Sequence, residues 1–176
     1  MAPRPGRGCD DGLVTYRVCF VCTGNICRSP MAEVLLEHEA AARGLSGRLT
    51  VDSAGIAAEV GFDIDRRARQ ALERSGFVPH RHLARQFEPG WLNERDLVIA
   101  MDSGHLRWLE RRAPARGQNA VIRLLLSYLE PGERPRGSIE ISDPYFGDDR
   151  DFASCLELIR AGCAALLDEI EGGLAE

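Results

Sequence analysis

Three side chains in this sequence have the types and setting for chemistry on a tetrahedral anion. Cys22 and Arg28 belong to the run Cys22-Thr23-Gly24-Asn25-Ile26-Cys27-Arg28-Ser29, and Asp143 opens a later Asp143-Pro144-Tyr145-Phe146. Gly24 permits dihedrals closed to other residues, and Asn25 tolerates the left-handed region. A loop so built turns successive N–H groups inward as an anion nest, and a helix starting at its end adds a positive dipole. The planar fork of Arg28 suits two oxygens of one phosphate. Such a field lowers a thiol pKa from ~8.5 into the range ~3.5–7.5, which makes Cys22 the expected nucleophile. Pro144 biases Asp143 toward an extended or turn geometry. A carboxylic acid there can protonate a leaving oxygen and then activate water against a phosphocysteine. Phosphoryl transfer is mostly positioning and charge stabilisation, so little more is required. Tyr145 is the expected wall for a planar substrate ring.

Plainer readings of the same residues compete. Cys22 as a core thiol has Gly24, Asn25 and Arg28 at these spacings against it. Cys19, Cys22, Cys27 and His38 make a nominal zinc set, but His38 falls about 13 Å along the expected helix, against zinc–ligand bonds of ~2.0–2.3 Å. His80 and His82 form an H-x-H without carboxylate or thiol companions, so His82 is expected to be a structural hydrogen-bonding group. Cys19, Cys155 and Cys163 are expected in the core. Asp102 reads as a helix cap rather than a catalytic acid. No metal and no cofactor are expected.

These residues need elements to hold them. Tyr16 to Val21 is a short, apolar, β-rich run, expected as a buried strand that delivers Cys22. A helix is expected from Ser29 to Arg43, with Pro30 in its first turn, Met31, Val34, Leu35 and His38 on one inward face, and Gly44 as its C-cap. Leu49 to Ala54 and Leu97 to Met101 are expected strands. Asp65 to Ser75, a stretch from Asp102 or Ser103 to about Arg112, and Phe152 to Ile170 are expected helices. Val121 to Leu126 begins as a short strand, and Pro131 to Ser142 is a loop. This alternation predicts an α/β fold: a parallel sheet with helices on both faces and the phosphate-binding loop after the first strand. Ligands of such sheets bind beyond the carboxyl ends of strands at the topological switch point, where Cys22 lies.

Size and charge bound the partners. The chain has 176 residues and six cysteines, enough for one domain with a real core and too few thiols for a disulfide scaffold. The formal net charge is −5, which gives a nucleic-acid partner no support. The arginines from Arg107 to Arg116 read as a solvated helix face and loop. No apolar run approaches the ~20 residues of a membrane span. Residues 1–13 are expected to be a disordered extension rich in Pro, Gly and Arg, and 14–176 the folded domain. The absence of a secretory pattern points to a reducing cytoplasm.

The run from Val21 to Glu33 resembles the signature of the low-molecular-weight protein tyrosine phosphatases. Val51-Asp52-Ser53-Ala54-Gly55, His82-Leu83-Ala84-Arg85-Gln86, Ala100-Met101-Asp102 and Asp143-Pro144-Tyr145 match further segments in the same order. The resemblance covers Tyr16 to about Leu167. It implies a four-stranded parallel sheet and hydrolysis of phosphotyrosine in proteins, with Cys22 as nucleophile, Arg28 as transition-state clamp and Asp143 as general acid. It implies a phosphate-binding loop of Thr23, Gly24, Asn25, Ile26, Cys27 and Arg28, supported by a network of Asn25, Ser29, Ser53 and His82. It gives Cys27 a redox role, a reversible disulfide with Cys22 that protects the nucleophile. Ile26 fits the tyrosine branch, the arginine-phosphatase branch tending to carry Thr there. The expected partners are tyrosine-phosphorylated proteins, with no nucleic acid and no membrane, and the expected state is a monomer. One departure is clear: Ile56 to Gly61 lacks the aromatic residue that usually forms a second pocket wall and carries Glu59 instead, with Phe62 just beyond. Arsenate reduction on the same scaffold needs further mobile cysteines, and none occurs between Cys27 and Cys155.

Overall fold

The computed structural model describes residues 15–113, 120–135 and 138–174. The expected N-terminal extension, 1–13, and the end of the basic stretch at Arg116 lie outside the described residues; Arg107, Arg111 and Arg112 are exposed as expected. Four strands form one wholly parallel sheet: β1 (Tyr16–Cys22), β2 (Leu49–Gly55), β3 (Leu97–Ala100) and β4 (Val121–Leu124), in the order β2-β1-β3-β4. β1 is central, and its side chains alternate between two layers. Val18, Phe20 and Cys22 face one core, while Cys19 and Val21 face the other.

The first layer holds α1 (Arg28–Ala42), α2 (Arg66–Arg74) and the long α4 (Asp149–Leu174). Phe20, Met31, Leu35, Leu72, Ile99, Phe152 and Ile159 pack together there. The second layer is thinner. α3 (Ser103–Glu110), a 3₁₀ turn at Pro89–Asn93 and Phe87 just before it cover Val21, Val98 and Ala100, the first two through Leu109 and Leu92. Helices therefore flank both faces, as the alternating pattern predicts. The last expected strand is shorter than its apolar run, because Leu125–Tyr128 turns into a 3₁₀ helix.

One helical face differs from expectation. The buried arc of α1 runs through Met31, Ala32, Leu35, Leu36 and Ala40, which places Val34 at its edge and His38 outside. His38 is exposed and meets Phe77 edge to face at 5.0 Å. The i, i+4 spacing from Val34 to His38 is correct for one face, but that face borders the core. α1 ends where expected, with Gly44 at φ 74°.

The strand order creates the site. From β1 the chain steps through α1 to β2 on one side, then crosses to β3 on the other. The carboxyl ends of β1 and β3 thus sit side by side at the switch point. Cys22 ends β1, and Met101 and Asp102 follow β3, with the Met101 N–H donating to Val21 O at 3.3 Å and the Ile141 N–H to Met101 O at 2.8 Å.

Candidate active site

Between β1 and α1 the backbone is held from outside, carbonyl by carbonyl. Cys22 O accepts from Ile56 N, Thr23 O from Ala57 N and Gly24 O from Glu59 N, at 2.9, 3.0 and 3.0 Å. Ile26 O accepts from Asp65 N at 2.7 Å and Cys27 O from Met31 N at 3.2 Å. Asn25 O accepts from the His82 Nε2–H at 2.7 Å. With every carbonyl satisfied on the outer side, the N–H groups of Gly24, Asn25, Ile26 and Cys27 have no protein acceptor among the described residues. Successive unpaired N–H groups at the N-terminus of α1 suit an anion. Gly55 makes the close approach possible: a Cβ there would lie 2.4 Å from Thr23 O.

Asn25 holds the left-handed turn at φ 57°. Its amide donates to Ser29 Oγ at 3.0 Å and Ser53 Oγ at 2.8 Å, and its Oδ1 accepts from the Arg85 N–H at 2.9 Å. Ser53 donates its own hydroxyl hydrogen bond to Glu33. Both amide hydrogens and the carbonyl are thus used, which offsets the cost of the strained backbone. Ser29 Oγ lies 3.0 Å from Cys22 Sγ, with Ala54 O at 3.3 Å as the other taker of its hydroxyl proton. A thiolate at Cys22 is the stronger acceptor.

Arg28 is buried and fixed by three bonds. Nη1 donates to Asp102 Oδ2 at 2.9 Å and to Ile141 O at 3.0 Å, and Nη2 donates to Asp143 Oδ2 at 2.7 Å. Of the five N–H groups of a guanidinium, two remain, on the neighbouring Nε and Nη2. They are the free fork for an anion. Asp102 is therefore more than the cap of α3 that the sequence suggests. Its Oδ1 does accept from the His105 N–H at 2.9 Å, but its second oxygen grips Arg28. Burial lifts its carboxyl, while the His105 N–H and the Arg28 guanidinium outweigh that and hold it below the ordinary range. Asp143 turns back on its own loop, Oδ1 accepting from Tyr145 N at 3.1 Å.

Cys22, Thr23, Gly24, Ile26, Cys27, Arg28, Ala57, Glu59, Asp143, Tyr145 and Phe146 line one cavity of about 220 Å3. The structure thus brings the expected nucleophile, clamp and acid to one opening, and Asn25, Ser29, Ser53 and His82 beneath it. Tyr145 and the largely exposed Phe146 pack edge to face at 5.1 Å and form one side. Arg67 holds this loop from α2, donating to Gly147 O at 3.0 Å with its guanidinium 5.6 Å from the Tyr145 ring and 4.6 Å from that of Phe152. The opposite side is Ala57 and Glu59. Phe62 is exposed and does not line the cavity, so it does not replace the absent aromatic wall.

The remaining thiols have a different character. Burial, aided by Asp65, Cys22 and Asp143, pushes the Cys27 thiol well up. Cys155 is pushed up to about 12, chiefly by burial. Cys19 and Cys163 are fully buried. Among the described residues no group of three or more His, Cys, Asp or Glu could hold a metal ion, and no helix is long and apolar enough to cross a membrane. Two participants escaped the sequence: Arg67, which looks like any helix arginine, and His105, buried within reach of Thr23 and Asp102.

A sequence profile described as low molecular weight phosphotyrosine protein phosphatase matches residues 17–174. The low molecular weight protein-tyrosine-phosphatase of Streptomyces coelicolor is 42% identical over 167 residues, covering 92% of this chain and 100% of its own length. Among solved structures, YfkJ from Bacillus subtilis superposes with a TM-score of 0.79 at 34% identity, covering 95% of this chain and 98% of its own. A drosophila arginine phosphatase also superposes, with a TM-score of 0.79 at 34% identity, covering 87% and 96%.

Proposed function

This chain belongs to the low molecular weight phosphotyrosine protein phosphatase family, and from that premise we propose that it hydrolyses phosphotyrosine in proteins through a phosphocysteine intermediate. Cys22 attacks phosphorus from the floor of the cavity. The loop amides and the free edge of Arg28 bind the three non-bridging oxygens, most strongly as charge spreads over them in the transition state. Asp143 gives its proton to the phenolic oxygen, and Tyr145 and Phe146 flank the ring. In the second step Asp143 takes a proton from water as that water attacks the thiophosphate, and Ser29 donates to the departing sulfur. The observation that carries this reading is the convergence of Cys22, Arg28 and Asp143 on one opening, with Ser29 Oγ 3.0 Å from the sulfur. Replacing Cys22 by Ser tests it: turnover should vanish while vanadate still binds, and appreciable residual turnover would remove Cys22 as nucleophile.

A second substrate, phosphoarginine, is favoured by one feature. The pocket mouth carries Glu59 where an aromatic wall was expected, and a carboxylate suits a guanidinium. Ile26, also in the lining, favours the aromatic ring. Side-by-side kcat/KM on phosphotyrosine and phosphoarginine peptides decides, and a higher value for phosphoarginine would replace the proposed substrate. Cys27 lies buried in the same loop as Cys22 and is proposed to trap an oxidised Cys22 as a disulfide. Mass spectrometry after peroxide should find that bridge; finding only sulfinic or sulfonic Cys22 would exclude it.

A further inference from the structure

His105 lies on α3, and its side chain has no part in the proposed chemistry; only 2% of its surface is exposed. Its Nε2 is 2.9 Å from Thr23 Oγ1, in the phosphate-binding loop. Its Nδ1 is 3.0 Å from Asp102 Oδ1, yet out of line for a hydrogen bond, and is the buried side-chain nitrogen left without a hydrogen-bond partner among the described residues. Asp102 in turn grips Arg28 through its other oxygen at 2.9 Å.

Electrostatics choose the tautomer. With a carboxylate oxygen 3.0 Å away, a lone pair on Nδ1 is repelled and an N–H is attracted even off the hydrogen-bond axis, so the ring proton belongs on Nδ1. Nε2 is then an acceptor, and the Thr23 hydroxyl donates to it. Burial lowers the pKa of the ring to about 4, Arg28 pushing the same way and Asp102 and Asp143 opposing, so the imidazole is neutral at neutral pH. Thr23 is thereby held at two points, its hydroxyl by His105 and its carbonyl by the Ala57 N–H at 3.0 Å.

We propose that His105 is a positioning residue of the phosphate site, one neutral ring that fixes Thr23 of the loop relative to the Asp102 carboxylate that holds Arg28. It ties the loop between β1 and α1, which carries the oxyanion ligands, to the turn after β3 that holds Arg28 from across the switch point. The proposal rests on the phosphatase reading of this cavity. Its effect should be greatest on an oxyanion shaped like the transition state, because this tie matters most when charge has spread to the equatorial oxygens.

The test is calorimetric binding of vanadate and of inorganic phosphate at neutral pH to the wild type, His105→Leu, His105→Gln, Thr23→Val and the His105→Leu/Thr23→Val double variant, with a melting temperature for each. Thr23→Val and His105→Leu should each weaken vanadate about tenfold, the loss of one well-placed hydrogen bond, and phosphate by less. The double variant should lose no more than either single, because both remove the same contact. His105→Gln, which restores an acceptor, should recover most of the vanadate affinity. Vanadate affinity within twofold of wild type in Thr23→Val, equal losses for vanadate and phosphate, or losses that multiply in the double variant would each overturn the proposal. If His105→Leu does not fold, Thr23→Val on the exposed rim and His105→Gln decide it alone. Failure of the wild type to bind vanadate would instead overturn the phosphatase reading of the cavity, and the proposal with it.

Discussion

The neutral, buried His105 makes a quantitative prediction about stability. In the unfolded chain its imidazole titrates near 6.5, and in the fold its pKa falls to about 4. Between those values the unfolded state binds a proton that the native state refuses. Stability therefore rises with pH across this window: the contribution is complete above 6.5 and is lost as pH falls toward 4. The shift of 6.5 − 4 = 2.5 units corresponds to about 3 kcal/mol at about 1.36 kcal/mol per unit. The perturbation is His105→Gln, which removes the titrating group and keeps a polar side chain. The assay is urea unfolding of both proteins at several pH values from 7 to 4. The variant starts lower at pH 7, having lost part of the Thr23 contact. The wild type should then lose about 3 kcal/mol more than the variant on going to pH 4, a closing of the melting-temperature gap by roughly 6–12 °C for a chain of this size. The depressed carboxyls of Asp63 and Asp65 are present in both proteins and cancel in the difference, whereas Asp102, which faces the ring, is read together with His105 as one coupled pair. Curves that stay parallel within about 0.5 kcal/mol over the whole range would refute the neutral-imidazole argument.

Three further outcomes follow from the site. Asp143→Ala should cut kcat/KM, which reports the step that expels the leaving group, about 10²–10³-fold on phenyl phosphate and much less on 4-nitrophenyl phosphate, whose leaving group needs no proton; equal losses on both would deny Asp143 the acid role. Gly55→Ala forces a Cβ to 2.4 Å from Thr23 O, so it should destabilise the fold by roughly 1–3 kcal/mol and weaken vanadate binding along with it. A variant with wild-type vanadate affinity would show that the outer hydrogen bonds do not shape the nest. Glu59→Gln should raise kcat/KM for dianionic aryl phosphates severalfold at low salt, with the gain fading as salt is added. No change at low salt would place the Glu59 charge too far from the phosphate to matter.

How much of this was legible in the sequence depended on how far each interaction reaches. Cys22 to Ser29 is a continuous run whose glycine, asparagine and arginine have a local meaning, so the loop and its helix could be read directly. β1 and β3 were equally plain, because both layers of the sheet bury them and their runs are apolar apart from Arg17. The partners of the loop were harder. Ile56, Ala57 and Glu59 hold it through backbone N–H groups, which leave no mark on side-chain pattern. Asp102 showed its capping role because that bond is local, whereas its grip on Arg28 spans 74 positions and exists only because β3 lies beside β1. His105 was invisible for the same reason. A single histidine within a short helix has no signature until the crossover puts Thr23 against it. His38 failed in the opposite direction: its spacing was helical, but which arc of α1 is buried is decided by α4 and the sheet.

The central claim is covalent catalysis at Cys22, and it can be met directly. Asp143→Ala should still accept phosphate from 4-nitrophenyl phosphate while losing the base that drives hydrolysis of the adduct. Rapid acid quench followed by peptide mass spectrometry should then find one phosphoryl group on Cys22, within the peptide spanning Val18 to Arg28, and none in a Cys22→Ser control. A burst of 4-nitrophenol with Cys22 unmodified at every quench time, or a phosphoryl group on any other residue, would contradict the account.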